Sequence, residues 1–129
     1  MSTDPRRDLG AAGERLAADH LAAAGYRILD RNYRTRYGEI DIVAADERHL
    51  VFCEVKTRVA GGTRGPAGPL GAVGPAKRRR LRLLAVVWLS DEAAGASRPS
   101  RPALRFDAIG VTVDRTGRVL ALEHLEAAF

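Results

Sequence analysis

Gly38-Glu39-Ile40-Asp41-Ile42-Val43-Ala44-Ala45, joined through Asp46-Glu47-Arg48 to His49-Leu50-Val51-Phe52-Cys53-Glu54-Val55-Lys56-Thr57, is the stretch on which the fold turns. Both apolar runs have strand length and composition, and the polar segment between them has hairpin length. Strand side chains alternate faces, so Glu54 and Lys56 point one way, and Glu39 and Asp41 share a face opposite Ile40 and Ile42. A two-residue turn at Glu47-Arg48, or a four-residue loop from Asp46 to His49, sets Asp41 opposite Glu54 and Glu39 opposite Lys56. Cβ atoms of residues directly opposite lie roughly 4.5–5.5 Å apart, close enough for two carboxylates to share a cation. An odd-length loop or a bulge would shift that register, and no Asn-Gly or Asp-Gly fixes the turn.

Asp41 followed by Glu54-x-Lys56 is a residue set that suits metal-assisted phosphodiester hydrolysis. Mg²⁺ takes oxygen ligands and is usually held by one or two carboxylates plus waters and substrate phosphate. Such an ion lowers the pKa of a bound water and offsets charge on the phosphoryl group. A neighbouring lysine can orient or deprotonate that water, or stabilise the transition state. The plain alternative is a pair of cross-strand ion pairs on a solvated sheet face, Glu39 with Lys56 and Asp41 with an arginine. Val51, Phe52, Cys53 and Val55 speak against a solvated face, because they read as a central strand buried on both sides.

The chain has 129 residues, 46% of them hydrophobic, which suits one globular domain with one core. A single cysteine, Cys53, forms no internal disulfide, fits a reducing compartment and reads as a buried strand residue. The longest apolar run, Leu83 to Leu89, is too short to span a bilayer, and no secretory signal pattern is visible, so cytoplasm is the expected location. The net charge of +5 is unevenly spread. Residues 55–90 hold Lys56, Arg58, Arg64, Lys77, Arg78, Arg79, Arg80 and Arg82 and no acid, whereas the flanking segments are slightly acidic. An acid-free basic block suits a polyanion, nucleic acid above all, although a solvated helix face in an arginine-rich chain has the same composition.

Residues 1–8 are polar and read as a flexible terminus. Leu9 to Ala24 has helical spacing, with Leu9, Gly13, Leu16, Ala17, His20 and Leu21 on one arc and Gly25 as a stop. Glu14 lies at the edge of that arc and, by pattern alone, is a boundary residue reaching water; His20 reads as a hydrogen-bonded packing residue. Strands are expected over Tyr26–Arg36, Tyr37–Ala45 and His49–Val59. A Gly/Pro-rich mobile loop follows over 60–74, then a helix from Pro75 to about Leu89 with Leu81, Leu84, Ala85 and Trp88 as its buried stripe. Lys77, Arg78, Arg79, Arg80 and Arg82 crowd its first half, where cations oppose the helix dipole, as if serving a partner. Leu104–Asp114 and Arg118–His124 close the chain as two strands about Arg115-Thr116-Gly117. Helix, three strands, helix and two strands form a mixed α/β (α+β) sheet flanked by helices, in one domain over 9–129.

Gly13-Glu14, Gly25-Tyr26, Arg31-Asn32-Tyr33-Arg34, Gly38-Glu39-Ile40-Asp41, Phe52-Cys53-Glu54-Val55-Lys56-Thr57-Arg58, Lys77-Arg78-Arg79-Arg80-Leu81, Arg105-Phe106-Asp107 and the closing His124-Leu125-Glu126-Ala127-Ala128-Phe129 together resemble the YraN-type family of small bacterial proteins. That family is similar in expected fold to the restriction-endonuclease-like PD-(D/E)XK nucleases and is compared with Holliday-junction resolvases. No proline precedes Asp41, so the first half of that motif is not literal. The resemblance implies a restriction-endonuclease-like three-layer fold with a mixed sheet of about five strands. It also implies that Glu14 joins Asp41, Glu54 and Lys56 at a catalytic site. Asp41, Glu54 and Glu14 would hold Mg²⁺ or Mn²⁺, Lys56 would position water, and Arg58, Lys77, Arg78, Arg79, Arg80 and Arg82 would hold nucleic-acid phosphates. The expected activity is metal-dependent hydrolysis of DNA, branched DNA included. The expected partners are that DNA and a second copy of the chain, with no membrane. The competing reading is a nucleic-acid-binding or adaptor protein that keeps the fold without turnover.

Overall fold

A computed structural model describes residues 5–61, 74–91 and 102–129. In chain order the elements are α1 (Pro5–Ala23), β1 (Arg27–Thr35), β2 (Gly38–Ala45), β3 (His49–Val59), α2 (Pro75–Ser90), β4 (Ala103–Val113) and β5 (Val119–Leu125). Helix α1 starts a turn earlier than Leu9; Asp8 falls in its first turn, where an acid suits the positive end of the dipole. Most of the expected 60–74 loop, Arg64 included, lies outside the described residues. Among these, no helix is long and apolar enough to cross a membrane.

The five strands lie in sequence order in one sheet. β1–β2, β2–β3 and β4–β5 are antiparallel, and β3–β4 is parallel, which makes the sheet mixed. A parallel neighbour cannot be reached by a tight turn, so the chain crosses over through α2 between β3 and β4. The β2–β3 connection is the two-residue turn at Glu47-Arg48. Asp46 N–H donates to the His49 carbonyl at 3.1 Å, and the Asp46 carboxylate accepts from the Arg48 and His49 amides. That local side-chain cap replaces the missing glycine signal.

The helices cover opposite faces, giving three layers. On one face Ala17, Ala18 and Leu21 of α1 pack on Ile42, Ala44, Val51, Cys53, Ile109, Val111 and Val113. On the other, Leu84, Ala85 and Trp88 of α2 pack on Ile40, Val43, Ala45, Leu50 and Phe52. Phe52 meets Trp88 edge-on at 5.8 Å and stacks on Phe106 at 5.5 Å, while Trp88 Nε1–H donates to Asp30 at 3.1 Å. Leu50 through Cys53 are fully buried, as a central strand requires.

Strict alternation breaks at one place. Ile40 belongs to the α2 core and Ile42 to the α1 core, so the expectation that both share a face does not hold. Asn32 on the neighbouring strand, between the pairs Arg31↔Ile42 and Tyr33↔Ile40, has a left-handed backbone (φ 52°). That local twist, at a residue type that tolerates it, turns β2 over at Asp41.

Gly13 fixes how closely α1 approaches β3. A Cβ there would lie 1.7 Å from Thr57 Oγ1 and 2.8 Å from Thr57 Cβ. Gly13→Ala is therefore expected to cost about 1–3 kcal/mol through overpacking, measured as a lowered urea midpoint at unchanged slope; an unchanged midpoint would show that α1 can move off β3 freely.

Candidate metal and nucleic-acid site

The site begins where β2 and β3 part. Their ladder runs from Ala45↔Leu50 to Ile42↔Cys53 and stops one pair short of Asp41 and Glu54. β2 stays on β1 through Arg34↔Glu39 and Thr35↔Gly38, so its far half leaves β3 behind. In the opening, Asp41 Oδ2 accepts the Val55 amide at 2.8 Å, a carboxylate taking the place of a ladder carbonyl. The register is the expected one, but the residues it sets opposite are not joined by backbone. A cavity of about 270 Å³ fills the gap, lined by Glu39, Asp41, Glu54 and, from the first turns of α2, Lys77, Arg80 and Leu81.

Three carboxylates converge on one side. Oxygens of Glu14, Glu39 and Asp41 lie within 4.8 Å of one another. Asp41 is only 6% exposed. Burial, then the negative charge of Glu54, raise its pKa; the Val55 amide pulls it down, Glu14 and Glu39 add to the rise, and the result is about 8. Glu14 is also pushed up, first by burial and then by Glu39, against hydrogen bonds to Asn32 and Asp41. Crowding and burial thus favour the protonated form of Asp41, which shares a hydrogen bond with Glu14.

Glu54 lies across the cavity, its side chain mostly buried and ion-paired with Lys77. Glu39, at the rim, pairs with Arg34 at 3.1 Å. The unbroken β3–β4 register keeps Lys56 on the same face as Glu54, two residues outward, where it is exposed. The basic block divides. Lys77 and Arg80 line the cavity, Arg79 is exposed, Arg78 lies over the Phe129 ring and Arg82 over Phe106. Arg58, on β3, reaches Thr112 at 3.4 Å.

Two of these placements were not read from the sequence. Glu39 joins Asp41 and Glu14, although it was assigned opposite Lys56; its shared face with Asp41 was the available signal. Lys77 was grouped with phosphate contacts, and nothing in the linear sequence points it at Glu54. An all-carboxylate donor set suits a hard divalent cation.

A second polar cluster ties the far end of the sheet together. Asp107, fully buried, accepts from Arg105 Nε and Nη2 at 2.9 Å each and from the Ala127 amide at 3.0 Å; His124 Nε2 lies 2.7 Å from it. His124 Nδ1 in turn lies 3.2 Å from His20 Nε2 on α1, so His20 is the hydrogen-bonded packing residue expected of it.

A family model described as Uncharacterised protein family UPF0102 matches residues 13–111, which include every residue of the cavity. The chain is similar to the UPF0102 protein of Rhodococcus jostii, 47% identical over 121 residues, covering 94% of this chain and 95% of the relative. It is 44% identical over 124 residues to the UPF0102 protein of Mycolicibacterium vanbaalenii, covering 96% and 95%. It is 46% identical over 130 residues to that of Mycobacterium tuberculosis, covering 98% and 95%. On a family match across most of its length and relatives aligned nearly end to end, the chain belongs to Uncharacterised protein family UPF0102.

Proposed function

We propose that this chain is a metal-dependent nuclease that hydrolyses phosphodiester bonds in DNA, branched or otherwise structured DNA included. The observation that carries the reading is a buried carboxylate, Asp41, held among Glu14 and Glu39 and facing Glu54 across a cavity whose other wall is basic. A protein that only binds nucleic acid gains nothing from four acids turned toward phosphate.

In this reading Asp41, Glu14 and Glu54 hold Mg²⁺ or Mn²⁺, with Glu39 as a further oxygen donor. The bound ion supplies an acidified water and offsets charge on the phosphate. To serve as a ligand Asp41 would be deprotonated. Lys56, outward of Glu54 on the same face, orients the attacking water. Arg80 and Lys77 meet the phosphates beside the cavity, and Arg58, Arg78, Arg79 and Arg82 extend the basic surface along β3 and α2. On a branched substrate two copies of the chain would address two strands, which is the sense of the expected homodimer.

The test is cleavage of linear, nicked, flapped and four-way DNA by the purified chain with Mg²⁺ or Mn²⁺, and after chelation. Lys56→Met is expected to lose about a hundredfold in rate while still binding the DNA. Equal residual cleavage by wild type and variant would mark a contaminant, and tight binding without cleavage of any substrate would favour the adaptor.

A further inference from the structure

Of the site's carboxylates, Asp41 and Glu14 face each other, whereas Glu39 and Glu54 each face a basic side chain of this chain. The Glu39–Arg34 pair is exposed and screened. The Glu54–Lys77 pair differs: the Glu54 side chain is 12% exposed, and the ammonium sits inside the cavity that the metal reading needs. Lys77 is on the first turn of α2, whose N-cap Gly74 provides no side-chain cap and whose first turn has no acid. The helix dipole repels an ammonium there. Glu54, and not its own helix, holds Lys77 in place. The lysine is still 41% exposed and on a flexible stem, so another anion at the mouth of the cavity can take it over.

We propose that Lys77 is a substrate-sensing latch, which occupies Glu54 in the free protein and passes to a backbone phosphate when a nucleic-acid strand lies along the start of α2. The inference rests on the nuclease reading and adds an order to it. Glu54 becomes free to accept a cation only when a strand is present, so the complete ligand set forms on substrate. Arg80, beside Lys77 on the cavity wall, gives the arriving phosphate a first contact. The exchange replaces one ion pair by another, Lys77–Glu54 by Lys77–phosphate.

The experiment is Mn²⁺ binding to the full chain without nucleic acid, by calorimetry, for wild type, Lys77→Gln, Arg78→Gln and Glu54→Gln. Arg78→Gln removes one positive charge from the same turn but not from Glu54, so it sets the effect of long-range charge alone. Lys77→Gln is expected to bind Mn²⁺ about three- to tenfold more tightly than wild type, and Arg78→Gln less than twofold. Equal affinities for the two variants would overturn the latch and leave the nuclease reading standing. No Mn²⁺ binding by wild type and none by Lys77→Gln would overturn that reading and the latch with it, and a gain in Lys77→Gln that persists when Glu54→Gln is added would overturn the latch alone. Kinetics give a second readout: Lys77→Gln should lower the half-saturating Mn²⁺ while raising KM for DNA. A lysine that only contacts phosphate raises KM and leaves the metal requirement unchanged.

Discussion

Asp41→Asn is expected to abolish metal-dependent cleavage and, with no metal present, to make the protein more stable at pH 8. The first effect follows from losing a charged ligand: a bound ion supplies several kcal/mol of transition-state stabilisation, which corresponds to about a thousandfold in rate or more. The second follows from linkage. Asp41 has a pKa of about 8 in the folded chain against an ordinary 3.8. Below about pH 4 both states carry the proton and the group is neutral to stability. Between about 4 and 8 the unfolded chain has released it and the native chain has not, so folding stability falls as pH rises, by on the order of a few kcal/mol across that window. The amide of the Asp41→Asn variant can still accept the Val55 N–H and can donate to Glu14, and it has no proton to lose. Urea unfolding at pH 5 and pH 8 in chelator should show a drop for wild type that is largely absent in Asp41→Asn. A parallel pH dependence in the two proteins would mean that Asp41 is ionised throughout and that the carboxylates are better solvated than their burial implies.

Asp107→Ala is expected to cost about 3–5 kcal/mol of folding stability, through charges left behind and not through lost volume. The carboxylate is fully buried and takes two hydrogen bonds from Arg105, whose side chain is only 12% exposed. Removing it strands that guanidinium against Tyr26, whose hydroxyl accepts from Arg105 at 2.6 Å, and removes the acceptor from His124 and the Ala127 amide. Among the described residues every buried side-chain nitrogen or oxygen has a partner; the other carboxylate near Arg105, Glu126 at 3.7 Å from Nη1, is exposed and replaces a buried partner poorly. A loss below about 1 kcal/mol in urea unfolding would show that Arg105 and His124 swing out to water, since a partnered buried charge cannot lose its partner so cheaply. The cluster joins α1, β4, β5 and the residues after β5; Asp107 sits beside Cys53 across the β3–β4 ladder, but no residue of the cluster lines the cavity. Wild-type cleavage per folded molecule is therefore compatible with this damage, and activity normalised to the folded fraction separates the two roles.

Much of the architecture was legible because hydrophobic period and turn chemistry agreed. The helix stripe Leu81, Leu84, Ala85 and Trp88 is the buried face of α2, and the hairpin register follows from the two-residue turn at Glu47-Arg48. Cys53 lies buried in the central strand, as its apolar neighbours required. The candidate site was legible in part. Asp41 and Glu54 do line one cavity, and Glu14 reaches Asp41. Alternation failed at Ile40 and Ile42 because it assumes regular extended backbone on both paired strands, and the left-handed residue opposite the break is Asn32 on β1. Lys77 was not readable because its partner, Glu54, comes from β3 and is brought to it by packing. Asp107 was hidden by its setting: Arg105-Phe106-Asp107 has the alternation of an ordinary half-exposed strand, and only the fold turns Arg105, His124 and Ala127 onto the carboxylate.

The parallel pairing of β3 with β4 has a kinetic side. The turn-joined strands β1, β2 and β3 can assemble early from local contacts, and they bring Glu39, Asp41 and Glu54 near one another. The partner that completes the central pair arrives roughly fifty residues later in the chain, at His49↔Ala103 and onward through Val59↔Val113. Closing so long a loop is slow compared with closing a hairpin. For that interval the nascent sheet carries mutually repelling acids beside a β3 edge that β4 has not yet covered. A proton on Asp41 would ease that repulsion, so the same electrostatic crowding that suits a cation in the finished molecule makes faster refolding under mildly acidic conditions the expected result.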